Sequence, residues 1–549
     1  MRAAPRLLDW IELADGDERG VWDLRGAHWG LTTYPDLRDD ALRMAAGLRG
    51  VGVERDDRVL IALTSGAGFA AALYGAWMSG AVAVPLPSAT AFVGGGGYAD
   101  HVERVQRAVG GKVLVCAGDE PALLAGSSAP RCVGPEELLA ADPHDDPDPS
   151  ETLVLQMTSG SAGDPKAVRI THSCLEAQVA ALGALLEWDA GDLGASWLPM
   201  HHDMGLVTFV AALMHGSSAR MIEPSDFIRT PLKWLQCHGE LGAALATVPA
   251  FGLEHVVRRI RPRQLEGMDF SGWRALAVGA ERIDPTLLLR FGRLLAPHGF
   301  SLSAVRPAYG MAETTLATAI VPLGAPLTAR RAGASQPTIE LAADGELDGA
   351  DLGGLVVGCG PPLAGMSVVV VDESGVEAPE GEPGQIVVGG TSLAAGYVTD
   401  EGRRTTAFDD RIETGDVGFL SGGRLYVLGR AGDGIRLHGQ TVLAEDVEVE
   451  LGRLPGMPHR RFCVLMGQRD GPPLALVLSE RDFPKAEATK VVRTMVGPAA
   501  DVRAVRVRRG SLLWTTSGKP RRNAIWQAYI EGRITPLGSV APVETAGTV

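Results

Sequence analysis

The sequence is poor in cysteine and lysine, and neither residue is arranged for the sites it commonly builds. Only six of the 549 residues are cysteine, and no two of them form a CxxC pair. This spacing excludes a zinc ribbon or a disulfide framework and is typical of scattered thiols in a reducing compartment. Lysine is equally rare, with six residues against 45 arginines. Two of those lysines, Lys166 and Lys519, lie in loop-like GSAGDPK and TTSGK settings, where a compact ammonium does different work from a guanidinium.

The sequence also lacks an excess of positive charge and a continuous apolar span. A net charge of −15 argues against duplex nucleic acid as the main partner, which would require a basic face. Residues 59–98 carry no charge, but glycines and prolines divide them into strand, helix and strand, so we expect no membrane span. The first 20 residues have no sustained apolar segment, so the sequence predicts no secretory signal and a cytoplasmic location.

Hydrophobic residues make up 46% of the chain and alternate between short apolar runs and amphipathic stretches. Such alternation over 35–110, and again from 151 to about 310, predicts α/β units built on parallel, helix-covered sheets. From about 317 the sequence becomes polar and rich in glycine. Period-two runs such as SVVVVD and GQIVVGG then predict a small antiparallel barrel or sheet.

A glycine-rich connector, GRAGDG, precedes a last unit with its own strands and helices. Glycine absorbs large changes in φ and ψ, so this connector favours a movable joint. The predicted organisation is therefore a large N-terminal domain (1–428) of α/β subdomains plus a small barrel-like subdomain, a hinge (429–433), and a small, mobile α+β C-terminal domain (434–549).

The most informative segment is LQMTSGSAGDPKAV, in which a strand runs into a Ser/Gly loop and a lysine. Small residues let backbone N–H groups wrap an anion, and hydroxyls and an ammonium add further donors. The segment does not have the GxxxxGK[ST] spacing of a Walker loop. It therefore predicts a phosphate loop of another kind.

TSGSAGDPKAV resembles the phosphate loop of the adenylate-forming superfamily. Further segments follow in the order of that superfamily: SWLPMHHDMGL, VGAE, PAYGMAETTL, ETGDVGFL, GRAGDGIRLHG and TTSGKPRR. Within the superfamily, SWLPMHHDMGLV, FIRTPLKWLQ and VVGCGPPL are most similar to fatty acyl-AMP ligases, and the polar excursion near 317–355 falls where those ligases carry an extra segment. The resemblance covers nearly the whole chain.

The resemblance implies a ligase that uses ATP and Mg²⁺ to convert a hydrophobic carboxylic acid into an acyl-adenylate with release of pyrophosphate. It implies catalytic roles for Lys519, Glu313 and His202, with Glu313 also holding the metal and His202, beside Asp203, next to the acid. The residues implied in nucleotide binding are Thr158, Ser159, Gly160, Ser161, Ala162, Gly163, Lys166, Gly279, Ala280, Glu281, Tyr309, Gly310, Met311, Ala312, Thr314, Asp416 and Arg430.

Each of these roles has a plainer structural alternative. Glu313 is also explained as an acid in the first turn of a helix, Tyr309 as a core tyrosine and His202 as a structural histidine. For Lys519 the alternative is a solvated position beside Arg521 and Arg522. The resemblance further implies that Lys519 moves with the C-terminal domain about a pivot at Gly432.

The acyl acceptor is less well determined, because Ala162, Ala167 and the segment HGQTVLAEDVE depart from the usual pattern. The resemblance implies an acyl carrier protein, an acidic partner for which Arg503, Arg506, Arg508 and Arg509 are candidate contacts. Three alternatives stay open. The chain could be an acyl- or aryl-CoA ligase, or a nucleotide-sensing scaffold without enzyme activity. It could also use the same scaffold on another oxyanion, as an ATP-dependent diazotase that acts on nitrite and an aryl amine. The identity of the acid and the oligomeric state are not determined by the sequence.

Overall fold

The computed structural model describes residues 5–12, 18–92, 97–143, 148–158, 166–342, 352, 354–399, 404–437, 440–458, 461–467, 472–514 and 520–537. The strands are β1 Gly20–Arg25, β2 His28–Thr33, β3 Arg58–Ala62, β4 Val82–Pro85, β5 Val113–Cys116, β6 Arg131–Val133, β7 Thr152–Thr158, β8 Lys166–Thr171, β9 Leu193–Ser196, β10 Ser218–Met221, β11 Leu245–Pro249, β12 Ala275–Gly279, β13 Val305–Gly310, β14 Ala317–Ile320, β15 Thr328–Arg330, β16 Thr338–Glu340, β17 Val356–Val357, β18 Met366–Val371, β19 Gly384–Gly390, β20 Gly396–Thr399, β21 Arg404–Ala407, β22 Arg411–Ser421, β23 Arg424–Arg430, β24 Gly434–Leu437, β25 Gln440–Leu443, β26 Phe462–Gly467, β27 Leu474–Ser479 and β28 Asp501–Arg506.

The helices are α1 Tyr34–Gly50, α2 Ala67–Met78, α3 Tyr98–Val109, α4 Glu120–Leu123, α5 Pro135–Leu139, α6 His172–Leu186, α7 Asp203–Met214, α8 Pro224–Arg229, α9 Leu232–Gly239, α10 Ala250–Arg259, α11 Pro285–Leu295, α12 Ala444–Gly452, α13 Lys485–Val496 and α14 Arg522–Ile530. Among the described residues, no helix is long and apolar enough to cross a membrane. The uncharged stretch forms β3, α2 and β4, as expected. Helix α2 is buried on nearly every side, which explains why it is apolar all round.

The first large sheet has the order β21-β20-β8-β7-β4-β3-β5-β6. Strands β7, β4, β3, β5 and β6 run parallel, as the alternating pattern predicts. Strand β8 turns back antiparallel to β7, and β20 then adds antiparallel to β8. The sheet is therefore mixed, and β20, from far along the chain, lies beside the start of β8, which follows the predicted phosphate loop.

The second large sheet has the order β14-β13-β12-β11-β9-β10-β1-β2. Its strands from β13 to β1 are parallel, and the antiparallel β14 and β2 form its edges. The carboxyl ends of parallel strands in open α/β sheets are where ligands commonly bind. The motifs VGAE and PAYGMAETTL lie at such ends, after β12 and in β13.

The period-two runs form an antiparallel sheet, β18-β19-β22-β23, beside a three-stranded sheet, β16-β15-β17. The polar excursion is not a single irregular loop, since β15 and β16 lie within it. A short 3-10 helix, Ala431–Asp433, then leads to β24, and the last unit packs α12, α13 and α14 around β26-β27-β28. The expected fold class, parallel-containing α/β units with a small barrel-like subdomain and an α+β C-terminal unit, is confirmed.

Candidate functional site

Thr158 and Lys166 face each other at the open end of the β7–β8 hairpin. They are paired in register, and the Thr158 hydroxyl donates to the Lys166 carbonyl at 3.3 Å. The Lys166 side chain is exposed, with Nζ 5.0 Å from the centre of the Tyr397 ring. The hairpin thus fixes both ends of the predicted phosphate loop and leaves the ammonium free to meet an anion.

The predicted loop residues Ser159, Gly160, Ser161, Ala162 and Gly163 lie outside the described residues, and so does Lys519. Their predicted roles therefore stay predictions.

Asp416 joins the small sheet to the second large sheet. Its Oδ2 accepts a 2.7 Å hydrogen bond from the Tyr309 hydroxyl, and its Oδ1 lies 2.9 Å from Arg430 Nε. Burial and the Asp416 charge raise the pKa of Tyr309 well above its usual value, so its proton stays on the hydroxyl. Burial acts to lower the pKa of Arg430, but Asp416 and other neighbours raise it overall. These predicted residues, far apart in sequence, form one polar cluster in which Tyr309 and Asp416 are buried and Arg430 is exposed.

Glu313 lies in a short 3-10 turn, Ala312–Thr314, that directly follows β13. The Thr314 hydroxyl donates to the Met311 carbonyl at 3.1 Å, which holds the turn closed. Gly310 permits this turn because an added Cβ would lie 1.8 Å from the Leu316 carbonyl oxygen. Thr315 has a φ of 65°, a strained conformation for a β-branched residue. The turn is thus held in one shape, with Glu313 half-buried at its tip.

Tyr397 connects Glu313 to Lys166. Its hydroxyl donates to Glu313 Oε1 at 2.7 Å, while its ring lies under the Lys166 ammonium. Strand β20 holds it there by pairing with β8, and the Ala394 N–H donates to the Glu313 carbonyl at 2.9 Å. Burial and the bond to Glu313 raise the pKa of Tyr397, which keeps the hydroxyl protonated as a donor. Tyr397 was not predicted from the sequence. In the sequence it is a lone tyrosine after a glycine-rich stretch. Its role depends on the pairing of β20 with β8, more than two hundred residues earlier, which leaves no local sequence pattern.

The predicted adenine wall, Gly279 to Glu281, lies beside Tyr309. Gly279 ends β12, and a Cβ on it would lie 3.0 Å from the Ala308 carbonyl oxygen. Ala280 has a φ of 64°, a conformation that non-glycine residues rarely adopt. The Glu281 carboxylate accepts from the Phe251 N–H at 3.0 Å, at the positive end of α10. The Glu281 side chain therefore holds the start of α10, and we expect Glu281 to line the predicted adenine site through its backbone.

His202 precedes α7 as its N-cap, and its ring lies 4.4 Å from that of His201. The His201 carbonyl accepts a 2.7 Å bond from Gln156, two residues before Thr158 in β7. Burial, with help from His202 and His101, lowers the pKa of His201 well below its usual value. This segment therefore lies next to β7, the strand that leads into the predicted phosphate loop.

The residues present fit a magnesium ion that is held mainly by its substrate. Within the described ranges, no group of three or more His, Cys, Asp or Glu side chains could hold a metal by itself. Glu313 offers the hard carboxylate oxygen that Mg²⁺ prefers, and Mg²⁺ commonly uses one or two carboxylates together with substrate phosphates.

The VGAE and PAYGMAETTL segments at parallel strand ends, beside the buried Asp416 and the exposed Lys166, are typical of a ligand site in an open α/β fold. Residues 17–398 match the AMP-binding enzyme family. The chain belongs to this family and is a ligase, as the sequence motifs predicted.

Several curated relatives are similar over most of the chain. A putative acyl-CoA synthetase of Caulobacter vibrioides is 29% identical and aligns over 96% of both chains. The long-chain-fatty-acid–AMP ligase FadD26 of Mycobacterium tuberculosis is 28% identical, over 86% of this chain and 87% of the relative. The medium-chain-fatty-acid–[acyl-carrier-protein] ligase JamA of Moorena producens is 27% identical, over 91% and 90%.

The fold is also similar to that of solved structures. In a study of fatty acyl-adenylate ligases from E. coli and L. pneumophila, one chain aligns with a TM-score of 0.83 at 23% identity, over 97% of this chain and 99% of its own.

We expect Tyr397→Phe to lower kcat/KM for ATP by about tenfold. The change removes the hydrogen bond to Glu313 but keeps the ring under Lys166. A bond to a carboxylate contributes about 1.5–3 kcal/mol, and 1.4 kcal/mol corresponds to tenfold. Steady-state kinetics with varied ATP measures the effect.

The matched control is Tyr426→Phe, which removes a hydroxyl that lies 3.1 Å from the Thr328 hydroxyl, away from the cluster. We expect this variant to keep wild-type kcat/KM. Equal losses in the two variants would contradict the role given to Tyr397.

Proposed function

We propose that the protein uses ATP to convert a hydrophobic carboxylic acid into an acyl-adenylate, with release of pyrophosphate. One observation carries the proposal: Tyr397 brings Lys166 and Glu313 together beside the cluster of Asp416, Tyr309 and Arg430. The reaction joins two anions, so it depends on positive charge and positioning more than on a protein nucleophile. The kinship with ligases named for fatty acids supports the same reaction.

Asp416 would bind the ribose. A carboxylate is acceptor-only and can take several O–H and N–H donors. The contacts with Tyr309 and Arg430 hold Asp416 in place, where its carboxylate would accept from the ribose hydroxyls. Gly279 to Glu281 would lie along the adenine, with Tyr309 beside it.

The loop 158–163 and Lys166 would hold the β- and γ-phosphates through backbone N–H groups, hydroxyls and the ammonium. Glu313 would hold Mg²⁺ against the phosphate oxygens. When bound, the ion would supply positive charge to the phosphates as the acid attacks. Tyr397 would orient Glu313 and limit where Lys166 can move.

Lys519 would bring its charge to the α-phosphate and the acid carboxylate, where the transition state forms. It belongs to the proposed mobile domain, 434–549, which would turn about Gly432 within the hinge 429–433. A Cβ on Gly432 would meet nothing within 4 Å, so packing does not require glycine there.

A cavity beneath α7 would hold the hydrocarbon part of the acid. It lies between α7 and strands β9 to β12 and has a free volume of about 30 Å³, so its lining would have to widen for the acid to enter. Its lining includes Trp188, Phe209 and Leu245, with no charged side chain. Because α7 starts at His202 and runs back toward the amino ends of the strands, the cavity leads away from the predicted carboxylate position. This composition favours an aliphatic or other apolar acid.

An acyl carrier protein is the acceptor that the kinship with JamA supports. The arginines expected to meet it are partly engaged elsewhere: Arg503 lies 2.7 Å from Asp501, and Arg506 lies 2.9 Å from Asp482. Arg508 and Arg509 are exposed and are the better candidates. Free CoA is the competing acceptor, and the kinship with a putative acyl-CoA synthetase favours testing it in parallel.

We expect pyrophosphate release with fatty acids, and a loss of at least about a hundredfold in Lys519→Ala, because one well-placed charge at the transition state contributes several kcal/mol. The measurement covers fatty, aryl and amino acids, and nitrite with an aryl amine. Holo carrier protein and CoA are then compared as acceptors.

Lys485→Ala, an exposed lysine of the same domain, is the matched control and should keep wild-type rates. Unchanged adenylation in Lys519→Ala would remove the main catalytic assignment. Pyrophosphate release that requires nitrite and an aryl amine, and that no carboxylic acid supports, would favour the diazotase alternative.

We expect Gly194→Val to shorten the acids that the enzyme accepts. Gly194 lines the cavity, and a Cβ on it would meet no atom closer than 3.9 Å, so the site accepts a Cβ, and the further methyl groups of valine should reduce the space in the cavity. Relative kcat/KM for long-chain over short-chain acids should fall about tenfold or more, with a smaller effect for Gly194→Ala. If both variants keep the wild-type chain-length profile, the acid does not occupy this cavity.

A further inference from the structure

Arg522, the first residue of α14, contacts three separate parts of the chain. Its Nε donates to the Val464 carbonyl at 3.2 Å, one terminal nitrogen lies 3.0 Å from Asp433 Oδ2, and the other lies 2.7 Å from Glu448 Oε2. Its side chain is only 11% exposed. One guanidinium therefore joins β26, α12 and the 3-10 helix Ala431–Asp433 within the proposed hinge.

The cluster around Arg522 holds more negative than positive charge. Asp433, Glu445 and Glu448 all lie within 4 Å of its terminal nitrogens. Burial raises the pKa of Glu448, and Arg522 opposes that rise. Burial acts to lower the pKa of Arg522, but the three carboxylates raise it above its usual value. Asp433 is thus paired with Arg522, and its charge also acts on Arg430.

The same arginine lies at the base of the segment that carries Lys519. Lys519 is three residues before it in the sequence. On either side of 515–519, Trp514 and Pro520 form a β-bridge, and the Arg521 N–H donates to the Leu513 carbonyl at 2.8 Å. The two ends of the segment are thus held together next to Arg522.

We propose that Arg522 is a positioning residue for Lys519, because it ties the base of the Lys519 segment to Asp433, one residue beyond the proposed pivot. This inference rests on the proposed function, in which Lys519 acts at the α-phosphate. Arg522 thus couples the residues on either side of 515–519 to Asp433, so in the proposed rotation about Gly432 the placement of the amine would depend on this tie. A misplacement of about 1 Å can cost about a hundredfold in rate.

Asp433→Asn is the most direct test, because it weakens the tie to the hinge and leaves the bond from Arg522 to Glu448 intact. We expect kcat for pyrophosphate release to fall about ten- to a hundredfold, with KM for ATP and for the acid within about threefold of wild type. Asp433→Glu, which keeps the charge, should recover part of the rate. Glu450→Gln removes an ion pair confined to α12 and its end, with Arg453, and should keep wild-type kcat.

A double-mutant cycle separates positioning from a general structural role. If Asp433 acts through Lys519, adding Asp433→Asn to Lys519→Ala should cause less than about a twofold further loss, because coupled residues are not additive. A wild-type kcat in Asp433→Asn, or the same fold loss in both backgrounds, would overturn the inference.

The two proposals fail differently. If Lys519→Ala loses adenylation and Asp433→Asn does not, the positioning role fails and the proposed function stands. If Lys519→Ala keeps full adenylation, the catalytic assignment of Lys519 fails, and the positioning role fails with it.

Discussion

The site depends on a buried carboxylate that two sheets share. Asp416 stands in the small antiparallel sheet and accepts from Tyr309 in the second large sheet, while Arg430 pairs with it from the neighbouring strand. Taking a carboxylate out of water costs several kcal/mol unless it is paired and hydrogen-bonded. The hydrogen bond from Tyr309 that stabilises the Asp416 carboxylate also holds the small antiparallel sheet against β13. Folding and the preparation of a nucleotide site are therefore served by the same contacts.

A second constraint acts at the other end of the site. Strand β20 pairs with β8 and carries Tyr397 between Lys166 and Glu313. Lys166 of the predicted phosphate loop and Glu313, the expected metal ligand, come from different sheets, and Tyr397 contacts both side chains. The strained backbone at Ala280 and Thr315 lies in the two motifs that flank this region. Strain of this kind persists only where the surroundings hold it, and it is frequent at functional sites.

Much of this could be predicted from the sequence. The alternating apolar pattern predicted the α/β units, the period-two runs predicted the antiparallel sheet, and the motifs predicted Lys166, Tyr309, Glu313, Asp416 and Arg430. Tyr397 and Arg522 were not given roles, because both act through contacts between distant segments that leave no local periodicity. The sequence did not predict that β8 runs antiparallel to β7. The apolar pattern of a strand reflects its burial, whereas its direction is set by the strand with which it pairs. The polar excursion looked like a long loop because β15 and β16 have only three residues each.

The central claim, that Asp416 accepts the ribose hydroxyls, is tested most directly by calorimetric titration of ATP and of 2′,3′-dideoxy-ATP into the wild type and Asp416→Asn. A site built to bond a hydroxyl strongly rejects an analogue that lacks it. The wild type should bind ATP at least about tenfold more tightly than the dideoxy analogue, and in Asp416→Asn this preference should fall below about threefold. An undiminished preference for ATP in the variant would contradict the account.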